Sequence, residues 1–294
     1  MKQLRLRLAI QKKGRLAKES IRLLQGCGLK FRIKDNALLT HVDNFPIDIL
    51  FVRDDDIPTL LFDGLCDAGI VGENVLFEAI TDAEKQAYRP ILDLGTCRCR
   101  LAIAVPEAFD YQGPESLQEM RIATSYPRLL ARYLAEKNIS AELLVLSGSV
   151  EVAPRMGMSD VICDLVSSGQ TLEENKLVDV DTVMNSQATL IQSANPLDES
   201  TQSLLDMLAR RMQAVLHADA RKYILFHAPK DALTRICEQL PGIESPTVMD
   251  LPGNLNKVAV HVVSREEIFW DTLEVIQSLG ASSILVLPIE KMLE

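Results

Sequence analysis

The sequence predicts an α/β fold with a two-lobed main part and a smaller C-terminal unit. Three observations lead to this prediction. Short apolar runs alternate with helical stripes over residues 1–97, which is typical of a parallel-rich sheet covered by helices. The same alternation restarts near Ile91. Residues 223–294 follow the order βαββαβ, which is that of a ferredoxin-like domain.

The first lobe is predicted to comprise residues 1–97 together with residues 188–222. It opens with a half-buried strand over residues 4–10 and a helix over residues 16–27, which ends at Gly28. Further strands are expected at 38–42, 47–52 and 67–72, with a helix after each of the last two, and an amphipathic helix is expected at 200–220.

The second lobe is predicted over residues 98–187. Its expected strands are 101–105, 121–125, 143–146 and 161–166, and residues 189–193 return to the first lobe as a strand. Two lobes joined by two crossings form a cleft with a hinge, as in periplasmic binding proteins.

The segment 160–172 carries the clearest functional pattern. An apolar strand contains Asp164 near its end, and a small, hydroxyl-rich loop follows it and leads into a helix. Such a loop presents backbone N–H groups and the positive end of a helix to a phosphate. An acid beside the loop can accept hydrogen bonds from sugar hydroxyls, so the segment predicts a site for a phosphorylated ribose. The alternative is an ordinary strand-to-helix turn.

A second pattern lies between the first strand and the first helix. Lys13 and Arg15 flank Gly14 in a short loop, with Lys12 nearby, which suits a polyphosphate contact. Arg53 and Glu73 each follow a predicted strand, where open α/β sheets bind ligands. Residues 1–34 contain eleven Lys and Arg and one acid, Glu19. The alternative for this basic segment is a solvated face.

The composition excludes several classes of protein. The net charge of −10 argues against a general nucleic-acid binder. The sequence contains neither a membrane-length apolar run nor a signal-peptide pattern. The six cysteines lack CxxC spacing and the four histidines lack metal-ligand spacing, so we expect reduced thiols in a cytoplasmic protein and no all-protein metal site.

Eight blocks along the chain carry a family resemblance: QKKGRL (11–16), PIDIL (46–50), VRDDDIP (52–58), GIVGEN (69–74), RIATSYP (121–127), GSVEVAP (148–154), DVICDLVSSGQTL (160–172) and GASSILVLP (280–288). With these blocks in family order, the chain resembles the long form of the ATP phosphoribosyltransferase family, the first enzyme of histidine biosynthesis, over nearly its whole length. The resemblance implies two catalytic lobes, an ACT-like regulatory domain that binds histidine, a Mg²⁺ requirement and a homo-oligomer, dimer or hexamer.

The resemblance also implies roles for individual residues. ATP would react with phosphoribosyl pyrophosphate at adenine N1, with Arg15 and Arg53 facing the pyrophosphate or the ATP phosphates. The residues expected to bind phosphoribosyl pyrophosphate are Asp164, Ser167, Ser168, Gly169, Gln170 and Thr171. Those expected to bind ATP are Lys12, Gly14, Arg15, Glu73 and Asp93.

The matching positions for the inhibitor histidine are His227, Ile243, Ser245, Thr247, Val263 and Ser283. At His227 the chain departs from a relative of this family, which has an acid beside the proline at the end of the first strand of this domain. Asp250 or a backbone carbonyl would then hold the ligand's cation, or histidine would bind more weakly at low pH.

Two alternatives belong to other functional classes. A two-lobed binding or sensing module without turnover would need the same cleft, since fold alone does not decide function. A ligand-sensing regulator would need a DNA-binding element, and the sequence contains no helix-turn-helix pattern or basic tail.

Overall fold

The protein is described by a computed structural model that covers residues 5–34, 37–80, 88–240, 246–265 and 270–293. Contacts within the chain divide it into two compact units, residues 1–25 with 29–209 and residues 26–28 with 210–294. The contact boundary falls inside the long helix 199–219, and the functional boundary after residue 222 stays a prediction. In the described residues, no helix is long and apolar enough to span a membrane.

The first sheet of the larger unit, with its helices, is called lobe I here. Its centre is an apolar strand, β1 (Leu6–Gln11), which lies parallel to its two neighbours because helices connect them. The strand that returns from the second sheet pairs antiparallel with both of its neighbours. In spatial order the strands are β2 (Leu39–His41), β3 (Ile47–Val52), β1, β4 (Ala68–Gly72), β11 (Ala188–Ser193) and β5 (Tyr88–Asp93).

Three helices pack on lobe I: α1 (Arg15–Gly26), α2 (Asp56–Phe62) and α3 (Glu73–Ala79). A glycine permits the close approach of α2 to the sheet. A Cβ on Gly69 in β4 would lie 2.8 Å from side-chain carbons of Ile57 and Leu61. The apolar faces of α2 and β4 therefore contact each other directly, which fixes the loops at the carboxyl end of this sheet.

The second sheet, with its helices, is called lobe II. Its strands in spatial order are β10 (Leu177–Ser186), β6 (Cys99–Pro106), β9 (Val161–Val166), β7 (Arg121–Thr124) and β8 (Glu142–Val145). Its helices are α4 (Pro127–Glu136) and α5 (Gln170–Glu174), with 3-10 turns at Pro114–Leu117 and Val150–Val152. The sequence predicted no element at β10, an antiparallel edge strand with two irregularities in its register.

The helix α6 (Glu199–Asp219) leads to the C-terminal unit. The elements there are β12 (Arg221–Pro229), α7 (Leu233–Glu238), β13 (Thr247–Leu251), β14 (Asn254–Arg265), α8 (Trp270–Ser278) and β15 (Ser282–Pro288). Their antiparallel sheet has the order β13-β14-β12-β15, and Phe226 and Val260 on its inner face are fully buried with Ile236 and Ile276 of the helices. This confirms the predicted α/β class with a ferredoxin-like C-terminal unit.

Candidate active site

The two basic loops of lobe I lie side by side. Because β1 and β3 run parallel, with Gln11 opposite Val52, both strands end at the same edge of the sheet. The Lys12 N–H donates to the Val52 carbonyl over 2.8 Å and ties the two loops together. The loop 12–15 therefore lies next to Arg53, as ligand sites in open α/β sheets require.

Residues 167–171 of lobe II, which are predicted to bind a phosphate and are called the phosphate loop here, follow β9. Gly169 has φ +84°, a conformation that favours glycine, and a Cβ there would meet no described atom within 4 Å. The backbone at this point is therefore open to a ligand. α5 begins at Gln170, two residues earlier than the sequence predicted, so Gln170 and Thr171 lie in its first turn. Because α5 spans only five residues, it has little helix dipole. A phosphate here would be held by hydrogen bonds from the amide N–H groups.

Arg15 joins the two lobes at this loop. Its Nη1 donates to the Ser167 hydroxyl over 2.7 Å, and its Nη2 donates to the Arg98 carbonyl over 3.1 Å. Arg15 opens α1 in lobe I, whereas Ser167 begins the phosphate loop of lobe II. A guanidinium thus stands at the mouth of a loop suited to phosphate, although 152 residues separate the two in sequence.

Asp164 lies on β9 just before the phosphate loop. Its neighbour across the sheet is Ala102 in β6, and its carboxylate accepts the Leu165 N–H over 2.8 Å. Burial raises the pKa of Asp164 to about 6, and the charge of Glu151 adds to the rise against the effect of the Leu165 bond. A half-buried carboxylate held at this energetic cost is typical of a functional site.

Two cavities lie in the cleft between the lobes. The larger is about 640 Å³, and its lining includes Arg53, Asp54, Asp55, Glu78, Tyr126 and Arg128. The smaller is about 220 Å³, and its lining includes Gln11, Gly14, Arg15, Asn74, Cys97 and Tyr126. Their combined size suits a nucleotide and a sugar phosphate.

Tyr126 belongs to the walls of both cavities. Its hydroxyl accepts from Asn74 Nδ2 over 3.0 Å, and the amide of Asn74 is fixed in turn by the Ser186 hydroxyl, which donates to Asn74 Oδ1 over 2.9 Å. Burial raises the pKa of Tyr126, and nearby carboxylates of the cleft, including that of Asp164, raise it further. The ring is therefore a neutral partition between the two cavities.

Arg53 is exposed in its loop. Its guanidinium lies 3.7 Å from the Asp55 carboxylate, and both side chains are mostly in solvent. The pairing is a weak surface contact. Arg53 is therefore available to an anionic ligand in the larger cavity.

Glu73 and Asp93 lie at the two crossings between the lobes. The Glu73 carboxylate accepts the Gln187 N–H over 3.1 Å, next to the return crossing. Asp93 ends β5 at the outward crossing, and the Thr189 hydroxyl donates to it over 3.4 Å. The structure brings Arg15 to Ser167, lines the smaller cavity with Gly14 and places Lys12 beside Val52. It places the two acids at the hinge strands.

Four of the proposed histidine contacts lie in described residues, whereas Ile243 and Ser245 lie outside them. His227 is opposite Ala259 and Ser282, beside the irregular Ser283 with φ +54°. Thr247 is opposite His261, and Val263 is opposite Tyr223.

These register positions spread the candidates along the sheet. The rows of His227 and Val263 are four residues apart on β14, or roughly 13 Å. The structure therefore does not bring His227 and Val263 together at one point. The alternative acid, Asp250, pairs with Lys230 Nζ at 2.7 Å.

Comparison with known proteins decides the family. The family model for ATP phosphoribosyltransferase (HisG) matches residues 53–214, more than half of the chain. The family model for the HisG C-terminal domain matches residues 218–291. The chain belongs to the ATP phosphoribosyltransferase family. It is therefore a transferase of the first step of histidine biosynthesis, as its resemblance implied.

A solved member of the family supports this assignment. A chain of the ATP phosphoribosyl transferase (HisG:HisZ) complex from Thermotoga maritima is 31% identical, with a TM-score of 0.59. The match covers 71% of this chain and 98% of that one, so the solved chain lacks a counterpart of over a quarter of this protein.

Solved structures outside the family also match, at lower similarity. Tv2483 bound to L-arginine is 14% identical over 69% of this chain and 81% of that chain, with a TM-score of 0.47. A substrate-binding domain of a putative amino acid ABC transporter from Streptococcus pneumoniae is 14% identical over 71% and 92%, with a TM-score of 0.42.

The transferase cleft contains functional candidates that the sequence analysis did not select. Glu151 acts on the Asp164 carboxyl, Asp54 and Asp55 line the larger cavity, and Asn74 positions Tyr126. The signal for Asp54 and Asp55 was present, since an acidic run directly follows Arg53 at a strand end. Asn74 and Tyr126 are 52 residues apart, and their pairing has no local signature in the sequence.

We predict that Asp164→Asn stabilises the ligand-free transferase in a pH-dependent way. The folded-state pKa of about 6 exceeds the ordinary 3.8, so between these values the folded chain holds a proton that the unfolded chain has lost. Stability contributed by the protonated acid is therefore lost as pH rises through about 6. The advantage of the variant should grow from pH 4 to 6 and level off at no more than about 3 kcal/mol.

Urea unfolding of the variant and wild type between pH 4.5 and 7.5 measures this difference. Glu136→Gln on the exposed end of α4 is a control for the loss of a carboxyl group. A difference that stays flat across this range would show that Asp164 carries no burial penalty.

Proposed function

We propose that the transferase joins ATP to 5-phosphoribosyl 1-pyrophosphate in the cleft of the larger unit. The products are N1-(5-phosphoribosyl)-ATP and pyrophosphate. The observation that carries this proposal is the contact of Arg15 with Ser167, which sets a cation from lobe I beside the open phosphate loop of lobe II. A substrate with phosphates at both ends of a ribose suits this arrangement.

Each group of candidates has a role in the proposal. The amides and hydroxyls of residues 167–171 hold the 5-phosphate, and Asp164 accepts hydrogen bonds from the ribose hydroxyls. Arg15 and Arg53 face the pyrophosphate or the ATP phosphates. Lys12 and Gly14, in the loop next to Arg53, are proposed to contact ATP. Glu73 and Asp93, at the two crossings between the lobes, are proposed as acidic contacts of ATP.

The reaction explains why one cleft needs both a carboxylate and cationic side chains. The lone pair of adenine N1 forms a bond to the anomeric carbon, and the bond to pyrophosphate breaks with its electron pair leaving on the oxygen. Positive charge develops on the ribose beside Asp164, and negative charge develops on the leaving group beside the arginines. Groups fixed before the reaction stabilise such charges at little cost of reorganisation.

The cleft also fits a Mg²⁺ ion that enters with the phosphates. In the described residues, no group of three or more His, Cys, Asp or Glu side chains could hold a metal. Magnesium commonly takes one or two carboxylates together with substrate phosphates, and Asp54 and Asp55 line the larger cavity. Asp54 and Asp55 would hold the ion, which would neutralise phosphate charge when bound.

The C-terminal unit is proposed to bind histidine and to mediate homo-oligomer formation, as a dimer or hexamer. Its sheet exposes apolar side chains, with Met249, Leu285 and Leu287 each 44–54% exposed. Exposed patches of this kind are typical of protein interfaces. The histidine contacts are proposed at His227, Thr247 and Ser283, and at Ile243 and Ser245. Val263, roughly 13 Å from the row of His227, does not share a contact point with it.

The thiols support a reducing compartment, which we propose is the cytoplasm. All six cysteines lie in the described residues, where none is paired in a disulfide.

The test of the proposed reaction is an assay with ATP, phosphoribosyl pyrophosphate and Mg²⁺. Near-ultraviolet absorbance should rise only when all three are present.

Gly169→Asp should raise the KM for phosphoribosyl pyrophosphate at least tenfold, about 1.4 kcal/mol, because it places a carboxylate at the phosphate. An Asp at position 169 must also adopt the positive φ of Gly169, which costs roughly 1 kcal/mol of backbone strain.

Gly253→Asp is the matched control, since Gly253 has φ +82° and an equally open environment in the C-terminal unit. A wild type that produces no absorbance change would refute the reaction. A normal KM in Gly169→Asp would refute the phosphate-loop assignment.

For the regulatory proposal, we expect His227→Ala to raise the histidine concentration for half-inhibition at least tenfold. Substrate KM values should stay within twofold, because the inhibitor and substrate sites are distinct. Steady-state assays with added histidine measure both quantities, with the exposed Glu290→Ala as control. Unchanged inhibition of His227→Ala would remove this residue from the histidine site.

A further inference from the structure

Two helix ends from different lobes meet beside the larger cavity. The carboxylate of Glu78, near the end of α3, accepts the backbone N–H groups of Arg128 and Leu129 in the first turn of α4, each over 2.9 Å. Each of its two oxygens accepts one bond. A carboxylate at a helix N-terminus is favoured both by these unpaired donors and by the helix dipole.

On the other side of this contact, cationic side chains of α4 meet carbonyl groups at the C-terminal end of α3. Arg128 Nη1 donates to the carbonyls of Ala79 and Glu78, over 3.0 and 3.4 Å, and the Arg132 guanidinium donates to the carbonyl of Phe77. These carbonyls belong to the last turn of α3, where no N–H group of the helix donates to them. Each helix therefore satisfies the free end of the other.

The cap of α4 has no local substitute among the described residues. Tyr126 occupies its N-cap position and makes no side-chain capping bond, and Pro127 follows as the first helical residue. Helices usually receive this cap from a Ser, Thr, Asp or Asn at the N-cap itself. Here Glu78 supplies it from 50 residues away, in the other lobe.

The same two helices hold the partition of the cleft. Tyr126, directly before α4, accepts from Asn74 in the first turn of α3. Glu78, Ala79 and Arg128 also line the 640 Å³ cavity. The distance between α3 and α4 therefore sets both the width of this cavity and the position of Tyr126.

We propose that Glu78 is a positioning residue for the transfer reaction. Its carboxylate holds α4 against α3, keeps the two lobes closed at this edge and fixes Tyr126 between the cavities. Opening of the cleft removes the cap from α4, so closure and substrate binding are coupled. This inference rests on the proposed binding of both substrates in the cleft.

The test compares Glu78→Ala, which removes both acceptors, with Glu78→Gln, which keeps one side-chain oxygen. In Glu78→Ala we expect the amides of residues 128 and 129 to exchange with solvent deuterium at least tenfold faster. We also expect the KM for both substrates to rise at least tenfold while kcat falls less than threefold, because closure is impaired and the reacting groups remain. Glu78→Gln should lie between this variant and wild type.

Arg128→Ala separates the two halves of the contact. It keeps the backbone N–H that Glu78 accepts and loses only the guanidinium bonds to α3. Its exchange and KM effects should be smaller than those of Glu78→Ala. Glu136→Ala, at the other end of α4, is the control for the loss of a glutamate from this region.

Two results would overturn the proposal. Faster exchange in Glu78→Ala with unchanged KM would make the contact a local helix cap. A raised KM with unchanged exchange would mean that Glu78 acts on substrate directly and not through α4. If Glu78→Ala does not fold, Glu78→Gln gives the same comparison. The exchange measurement needs no substrate, so failure of the proposed reaction would be seen separately.

Discussion

The proposed substrate site depends on the Arg15 guanidinium, which donates one hydrogen bond to the Ser167 hydroxyl and one to the Arg98 carbonyl. Parallel pairing in lobe I brings the loop of Arg15 to a sheet edge. The two crossings near residues 94–98 and 187 bring the phosphate loop of lobe II to the same place. Neither lobe alone contains both the cation and the loop. The joining of two sheets therefore brings together the cation and the loop of the proposed substrate site.

The energetics of the cleft favour function over stability. Asp164 is kept in a half-buried position that raises its pKa to about 6, and it accepts the Leu165 amide as compensation. Gly169 adopts a conformation that other residues adopt at a cost. Arg53 is exposed, where a well-paired arginine would contribute more to the fold. In the proposed reaction, the ligand offsets these costs when it supplies hydroxyls to the acid and phosphates to the cations.

Local patterns in the sequence predicted the elements that are continuous along the chain. The strand, loop and helix over residues 160–172 and the βαββαβ order of the C-terminal unit were predictable because apolar periodicity and glycine positions define them. The edge strand β10 was missed although residues 178–181 alternate between Val and Asp, and its register is irregular at two points that depend on pairing with β6. The cap of α4 by Glu78 and the placement of Glu73 against Gln187 depend on tertiary contacts, for which the sequence has no local signal.

The most direct test of this account is calorimetric binding of phosphoribosyl pyrophosphate to Arg15→Ala. Lys18→Ala is the matched control, because it removes an exposed cation from the same helix, away from the cleft loop. If Arg15 of lobe I and the phosphate loop of lobe II bind one ligand, Kd should rise at least tenfold in Arg15→Ala, about 1.4 kcal/mol, and stay near the wild-type value in Lys18→Ala. Equal Kd values in the two variants would contradict a shared site.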